Sequence, residues 1–437
     1  MENPLNVPRF KLLSVLSYLS IATLGALITQ QLTPTSPPVA STEPNAQIPG
    51  NNTPLNQAPI PTTVEPTQRS ARDNYSVNVE SYYSAWSDNF GNNGNQLVTP
   101  LTVTYAKDDF NVGIRTAYIN SNFNGVLLLD GQKIGTRQGS VSTLSDTSLS
   151  LAYNLLKKSD YPVRLNLDFN LPTGKATLFG DEKNAIMDGS LVQQTRFGEG
   201  FNIAPGVSVS HALSPKDVVG VGTSYIIRGQ FDPNGDVSKD EIKPGNDLVG
   251  TLQYQHLDSN WMAMGGLIYT NSGVTQRGGL DYYQKGARLD VNFTGAYVPF
   301  ERNRVQLTTR YFTQSPDNVR NFFTGNLEKE TANNNGNGLY VGLDWGLGLD
   351  KRQQHNIHFL ADWLGVQANS YDRINDLFNA GRSKYSIGLG YEYINSPTNR
   401  WNIQAKYFNV INNATPITQK DITSNGLSIF ANVNFDF

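Results

Sequence analysis

The chain has 437 residues, with 34 Lys and Arg, 37 Asp and Glu, no Cys and a formal net charge of −3. Its mean hydropathy of −0.39 excludes a bundle of membrane helices, because each helical span needs about 20 consecutive apolar residues. The near-balanced charge argues against nucleic acid as a partner, and the missing Cys removes disulfides, thiolate metal sites and thiol nucleophiles. Membrane-crossing strands remain open, since only every second residue of such a strand meets lipid.

At the N-terminus, Arg9 and Lys11 precede an apolar run from Leu12 to Ile28, with Ala22, Gly25 and Ala26 near its end. Residues 1–29 therefore read as a signal peptide or, since no Ala-x-Ala site follows, an uncleaved anchor. Residues 30–73 hold nine prolines, from Pro34 to Pro66, among Thr, Ser, Asn and Gln. Such a stretch buries too little apolar surface to offset its ordering entropy, so a disordered linker is expected there.

From residue 74 to 437 the pattern is that of strands. In the last one, Leu427, Ile429, Ala431, Val433, Phe435 and Phe437 share one face, opposite Ser428, Asn432, Asn434 and Asp436. Only Phe430 interrupts the polar face. The same period of two recurs around Val163–Leu171, Ala287–Tyr297, Leu339–Leu349 and Tyr385–Tyr393. Charged residues recur on the second face, which a packed soluble core would not tolerate and a water-filled lumen would.

Short polar turns (at 107–109, 157–161, 214–216, 258–260, 299–303, 350–354 and 396–399) alternate with longer segments. The longer segments are 87–94, 121–141, 172–200, 229–246, 272–282, 314–336, 368–382 and 411–423. The fold class expected is therefore all-β: a transmembrane antiparallel up-and-down β-barrel of about 16 strands, with 14 as the alternative. Short periplasmic turns and long extracellular loops follow from that class. Tyr75–Trp86 is the weakest strand in the count and would have to close the barrel against Leu427–Phe437.

The terminal Asn434-Phe435-Asp436-Phe437, the strand number and the one-sided short turns resemble bacterial outer-membrane porins. The resemblance implies outer-membrane localisation and that Phe435 and Phe437 form the signal read by the barrel-assembly machinery. It also implies that the third long loop, at about 172–200, folds into the lumen and narrows it, and that a homotrimer is the common assembly. A second, local likeness joins Asp146-Thr147-Ser148-Leu149 to Leu171-Pro172-Thr173-Gly174. These runs resemble the "D-T-x-L … L-P-T-G" pattern of outer-membrane transporters of the phenol meta-degradation type.

In a channel the working groups are lumen charges and the loop that faces them. Alternation places Arg115, Asp168, Arg288, Asp290, Arg310, Asp344, Asp362 and Lys406 inward near mid-strand, and the third loop adds Asp181 and Glu182. Acidic loop residues opposite wall arginines would create a transverse field, whereas pairing across adjacent strands would simply fill a polar interior. Enzymatic chemistry is disfavoured. His211 and His256 are expected to face outward near the turns, and His358 and Asp362 lie roughly 13 Å apart along a strand. Asp232-Pro233-Asn234-Gly235-Asp236 has the oxygen-rich opening of a calcium loop, yet Val237 and Lys243 stand where its Gly and Glu belong. No metal site and no cofactor are expected.

The function expected is passive diffusion of small polar solutes or ions. The alternatives are a dedicated transporter for small organic, including aromatic, compounds, a barrel enzyme, and a structural or adhesive barrel. Mixed lumen charges predict weak ion selectivity: Arg310→Glu or Arg115→Glu should shift the reversal potential in a salt gradient towards cations, and an unmoved potential in both would take these residues out of the constriction.

Overall fold

The structure is a computed structural model that describes residues 74–437 except 130, 131, 157, 238, 239, 301, 322, 352, 374, 376, 397, 398, 416 and 417. The expected export segment and Pro-rich linker lie outside the described residues.

The strands follow from the alternation. In chain order they are β1 (Asn74–Asp88), β2 (Asn93–Lys107), β3 (Phe110–Leu129), β4 (Gln132–Leu144), β5 (Thr147–Leu155), β6 (Val163–Leu171), β7 (Asn202–Ser214) and β8 (Asp217–Arg228). Next come β9 (Ile242–Lys243), β10 (Asp247–Leu257), β11 (Trp261–Ser272), β12 (Val274–Arg277), β13 (Leu280–Gln284), β14 (Arg288–Phe300) and β15 (Asn303–Gln314). The chain ends with β16 (Asn318–Arg320), β17 (Leu327–Lys329), β18 (Gly338–Gly348), β19 (His355–Val366), β20 (Arg382–Ser396), β21 (Asn399–Asn412) and β22 (Ile422–Asp436).

Each wall strand pairs antiparallel with its neighbours, and β22 pairs with β1 from Asp436 opposite Ser76 to Ser424 opposite Asp88. The backbone of the terminal Phe437 completes that seam by exchanging hydrogen bonds with Tyr75. The result, among the described residues, is a closed barrel of 16 strand positions, with β4 and β5 sharing one of them along β3. Closure removes sheet edges, which is the condition for a sheet to cross a bilayer. Phe430, the exception on the polar face of β22, packs inside the wall against Tyr82, with ring centroids 4.8 Å apart.

The outer surface carries an apolar band bounded by aromatics. Leu252, Leu267, Val291, Leu307, Leu343, Ile387 and Leu389 are exposed along the wall. Tyr75, Trp261, Tyr297, Trp345 and Trp401 ring the turn side, and Tyr225, Tyr269, Tyr311, Tyr385 and Tyr407 ring the loop side. This is the outer face expected of a barrel that crosses a bilayer, an apolar band between two aromatic girdles.

One sequence expectation needs correction in detail. Within 121–141, expected as a long loop, residues 121–129 and 132–141 belong to the paired strands β3 and β4, from Tyr118–Leu144 to Leu129–Gln132. The alternation continues there, but Asn120, Asn122, Ser140 and Ser142 occupy the outward face where apolar residues would otherwise mark a strand. Strand β7 runs through Pro205, and its ladder to β8 is interrupted between Ile203 and Gly206, as befits a residue without an N–H. On the loop side, β9, β12, β13, β16 and β17 form a second sheet of five short strands drawn from three successive long connections.

Replacing Leu389, in the middle of the lipid-facing band, by Arg should destabilise the barrel by about 2–4 kcal/mol. Guanidinium unfolding in lipid vesicles measures this, and an unchanged midpoint would take Leu389 off the lipid face.

Candidate functional site: the inner wall and the third long loop

Part of the inner wall is apolar, which a water-filled barrel does not explain. Trp86 on β1, Val98 on β2, Ile119 and Phe123 on β3, Val141 on β4, and Phe408 and Val410 on β21 all point inward and are buried. They are covered by the loop of residues 172–201, which packs against them inside the barrel. Met187, Leu191 and Val192 of the loop pack with Trp86, Phe123, Phe408 and Val410. Leu178, Ala185 and Phe197 pack with Val98, Ala117, Ile119 and Val141. The loop thus has a hydrophobic underside and the wall a matching patch, so burial drives it inward.

Polar groups fix the placement. The Gln96 side chain brackets Gln194, donating to its carbonyl at 2.7 Å and accepting from its N–H at 2.7 Å. Ser121 Oγ donates to the Ala185 carbonyl at 2.9 Å, satisfying the end of the short 3-10 turn Gly180–Ala185. A side chain at Gly139 on β4 would place its Cβ 2.4 Å from the Ala185 nitrogen, so the close approach of this turn requires glycine. At the far side, Arg382 on β20 donates to Asp188 at 2.8 Å and Lys384 donates to the Ser190 carbonyl at 2.7 Å.

The loop is also held from above by the next long connection. Lys183 pairs with Asp236 at 2.6 Å, the Gly180 N–H donates to Asp236, and the Leu178 backbone bonds to Pro233 and Gly235. Hydrogen bonding from Lys183 holds the Asp236 carboxyl below its ordinary range, and Lys175 does the same for Glu182.

The predicted wall charges all face inward, and each meets an opposite or polar partner on a neighbouring position. Arg115 reaches Glu80 of β1 at 3.2 Å. Asp168 bonds with Ser150 and lies near Arg164. Asp290 is flanked by Arg288 at 2.8 Å and Arg310 at 2.6 Å, and both guanidiniums lie over Phe312. Asp344 binds His358 at 2.8 Å, and Lys406 binds Asp362 at 2.8 Å. Asp181 and Glu182, placed by the sequence reading opposite wall arginines, do not meet them. Glu182 bonds with Lys175 and the Phe179 N–H, and Asp181 is exposed in the same 3-10 turn. The loop carboxylates that do meet wall arginines are Asp188, on Arg382, and Glu199, on Arg228 at 3.2 Å.

At the root of the loop the charges are unequal. Among the described residues, Arg196, Arg228, Lys285, Arg288 and Arg310 gather around Glu199, Asp247, Asp290 and Asp146, five cations against four carboxylates. Burial, then the neighbouring Arg196, pushes the Lys285 ammonium down to about 8, although Asp247 opposes the shift. Burial likewise lowers Arg196 to about 10. Composition could not show this local excess, because Arg196 and Lys285 come from loops whose position only the fold decides.

Other sequence candidates are accounted for. His211 stacks on Tyr161 and His256 on Trp261 near the turns, in the aromatic ring. His358 lies between Asp344 and Glu392, 3.6 Å from the latter, rather than near Asp362. Of the calcium-like run, Asp236 is engaged by Lys183 and Asp232 by the Asn234 N–H.

No protein-family profile and no curated protein matches the chain. Among solved structures, the outer-membrane channel DcaP of Acinetobacter baumannii is 12% identical, covering 84% of this chain and 96% of its own, with a TM-score of 0.39. An outer-membrane channel from Pseudomonas putida F1 is 10% identical over 85% and 97%, with a TM-score of 0.35. A FadL homologue of Pseudomonas aeruginosa is 9% identical over 83% and 90%, with a TM-score of 0.38.

Phe197→Ala should cost the loop about 3–5 kcal/mol of packing while leaving the wall hydrogen bonds intact. Limited proteolysis should then cut within 172–201 in a barrel that still runs with folded, heat-modifiable mobility. Equal protease resistance in the variant would show that Phe197 does not anchor the loop.

Proposed function

We propose that the protein is a passive outer-membrane channel for small polar solutes or ions, its cross-section limited by the loop 172–201. The observation that carries this reading is the division of the inner wall. The loop's apolar underside is clamped to the β1–β4 and β20–β21 side, while β14, β15, β18 and β19 present the inward charges Arg288, Asp290, Arg310, Asp344 and Asp362. Barrels of 16 strands leave room for an aqueous channel, and lumen charges of both signs set its selectivity.

Paired charges give little selectivity by themselves, so the bias should come from the loop root, where cations outnumber carboxylates. That bias favours anions. The reading is also one of a non-enzyme: His358 is engaged by the carboxylates of Asp344 and Glu392 rather than by a serine or threonine hydroxyl. Phe435 and Phe437 would serve assembly, at the outward-facing end of the closing strand.

Reconstitution into planar bilayers tests the channel, and no conductance above background would sink it. Lys285 adds a pH signature. Its ammonium is charged below about 8 and neutral above, so the anion-to-cation permeability ratio should fall as pH rises from roughly 7 to roughly 9. Lys285→Met should flatten that dependence; a pH profile unchanged by the substitution would remove Lys285 from the permeation path.

A further inference from the structure

The two short runs that stand out in the sequence, Asp146-Thr147-Ser148-Leu149 and Leu171-Pro172-Thr173-Gly174, come together at the neck of the third loop. Strand β4 ends at Leu144 and β5 begins at Thr147, both along β3. On the other side, β6 pairs with β5 only as far as Leu171 opposite Thr147. Above that level the chain that would prolong β6 turns into the lumen, and it returns at Phe197–Gly200 to enter β7.

At this break the Asp146 carboxylate accepts three hydrogen bonds from three different segments. Oδ1 accepts from the Gly174 N–H of the ingoing arm at 2.9 Å. Oδ2 accepts from the Glu199 N–H of the returning arm at 2.8 Å and from Asn170 Nδ2 of β6 at 2.7 Å. Asn170 also donates to the Gly200 carbonyl at 2.7 Å. Thr173 Oγ1 donates to the Ser145 carbonyl at 3.0 Å and lies 2.8 Å from Thr147 Oγ1. The arms touch each other: Lys175 N–H donates to the Phe197 carbonyl, and a Cβ on Gly174 would sit 2.2 Å from that same oxygen.

We propose that Asp146 is the positioning residue of the constriction, its carboxylate tying both arms of the loop's neck to the wall and so setting where the loop stands in the lumen. Bonds from N–H donors to a carboxylate are charge-assisted and about twice as strong as neutral ones. No other single side chain described above holds the ingoing arm, the returning arm and the wall together. The far-side contacts, Arg382 to Asp188 and Lys384 to Ser190, hold the tip and touch neither arm of the neck. Gly174 is glycine because the arms cross at backbone contact, and Thr147 and Thr173 add a second, neutral tie. The consequence for conductance rests on the channel reading; the tie itself does not.

Asp146→Asn keeps the size of the side chain and removes the charge. The barrel should fold, with heat-modifiable mobility, and the amides of Gly174 and Glu199 should exchange hydrogen at least roughly tenfold faster in detergent. Single-channel records should change from one open level to several, with a higher mean. Thr173→Val should move both readouts in the same direction by less, and it decides the matter if Asp146→Asn does not fold. A disulfide from Gln96→Cys and Gln194→Cys, in a chain with no other Cys, should restore the single level in the Asp146→Asn barrel by clamping the loop elsewhere. Wild-type exchange and wild-type current in Asp146→Asn would overturn the proposal. A wild-type barrel that does not conduct would overturn the channel reading alone, leaving the exchange rates to decide on Asp146.

Discussion

Every strand of this protein depends on the seam between β1 and β22. In hydrocarbon an unpaired backbone N–H or C=O costs several kcal/mol, so an open sheet cannot cross a bilayer. The pairing that runs from Ser76–Asp436 to Asp88–Ser424, finished by Tyr75 and Phe437, removes the last two edges. The first strand of the wall is therefore also the one that needs the last, and neither is satisfied until the whole chain has been laid down. The exposed apolar band and its aromatic borders have meaning only on a surface closed in this way.

Closure creates an interior, and the interior is divided unequally. Strands β1–β4 and β21 break the usual polar inner face with Trp86, Val98, Ile119, Phe123, Phe408 and Val410, and the loop supplies Met187, Leu191, Val192 and Phe197 to cover them. Hydrophobic burial is non-directional, so it brings the loop to that side without saying how it stands there. Direction comes from hydrogen bonds to Asp146, Gln96, Ser121 and Arg382. The connection that carries β9 of the external sheet reaches the same loop through the pair Asp236–Lys183.

The remaining wall keeps its charges, and keeps them mostly in pairs. Lone charges on a half-buried wall would be costly to desolvate, which accounts for Arg115 on Glu80, Lys406 on Asp362 and two arginines on Asp290. Pairing flattens the field over most of the interior. At the loop root Arg196 and Lys285 join Arg228 and Arg288 around Glu199, Asp247 and Asp290, and burial lowers the Lys285 ammonium to about 8.

Strand period, turn length and the terminal Phe were legible in the sequence because each is a local property. One residue in two faces lipid whatever the neighbours do, so the barrel and its strand number could be read along the chain. Asp181 and Glu182 were misplaced for the opposite reason: a loop has no period, and its side chains point where tertiary contacts send them. The inward apolar residues of β1 made Tyr75–Trp86 look like the weakest strand, when they were the imprint of the loop that covers them. The runs around Asp146 and Gly174 were visible as a pattern, but not as a joint. The sequence by itself determined a closed barrel with a polar inner face, since alternation is written residue by residue. Only the tertiary structure decided which side of the lumen is filled and what holds the filling in place, because those contacts join residues far apart in the chain.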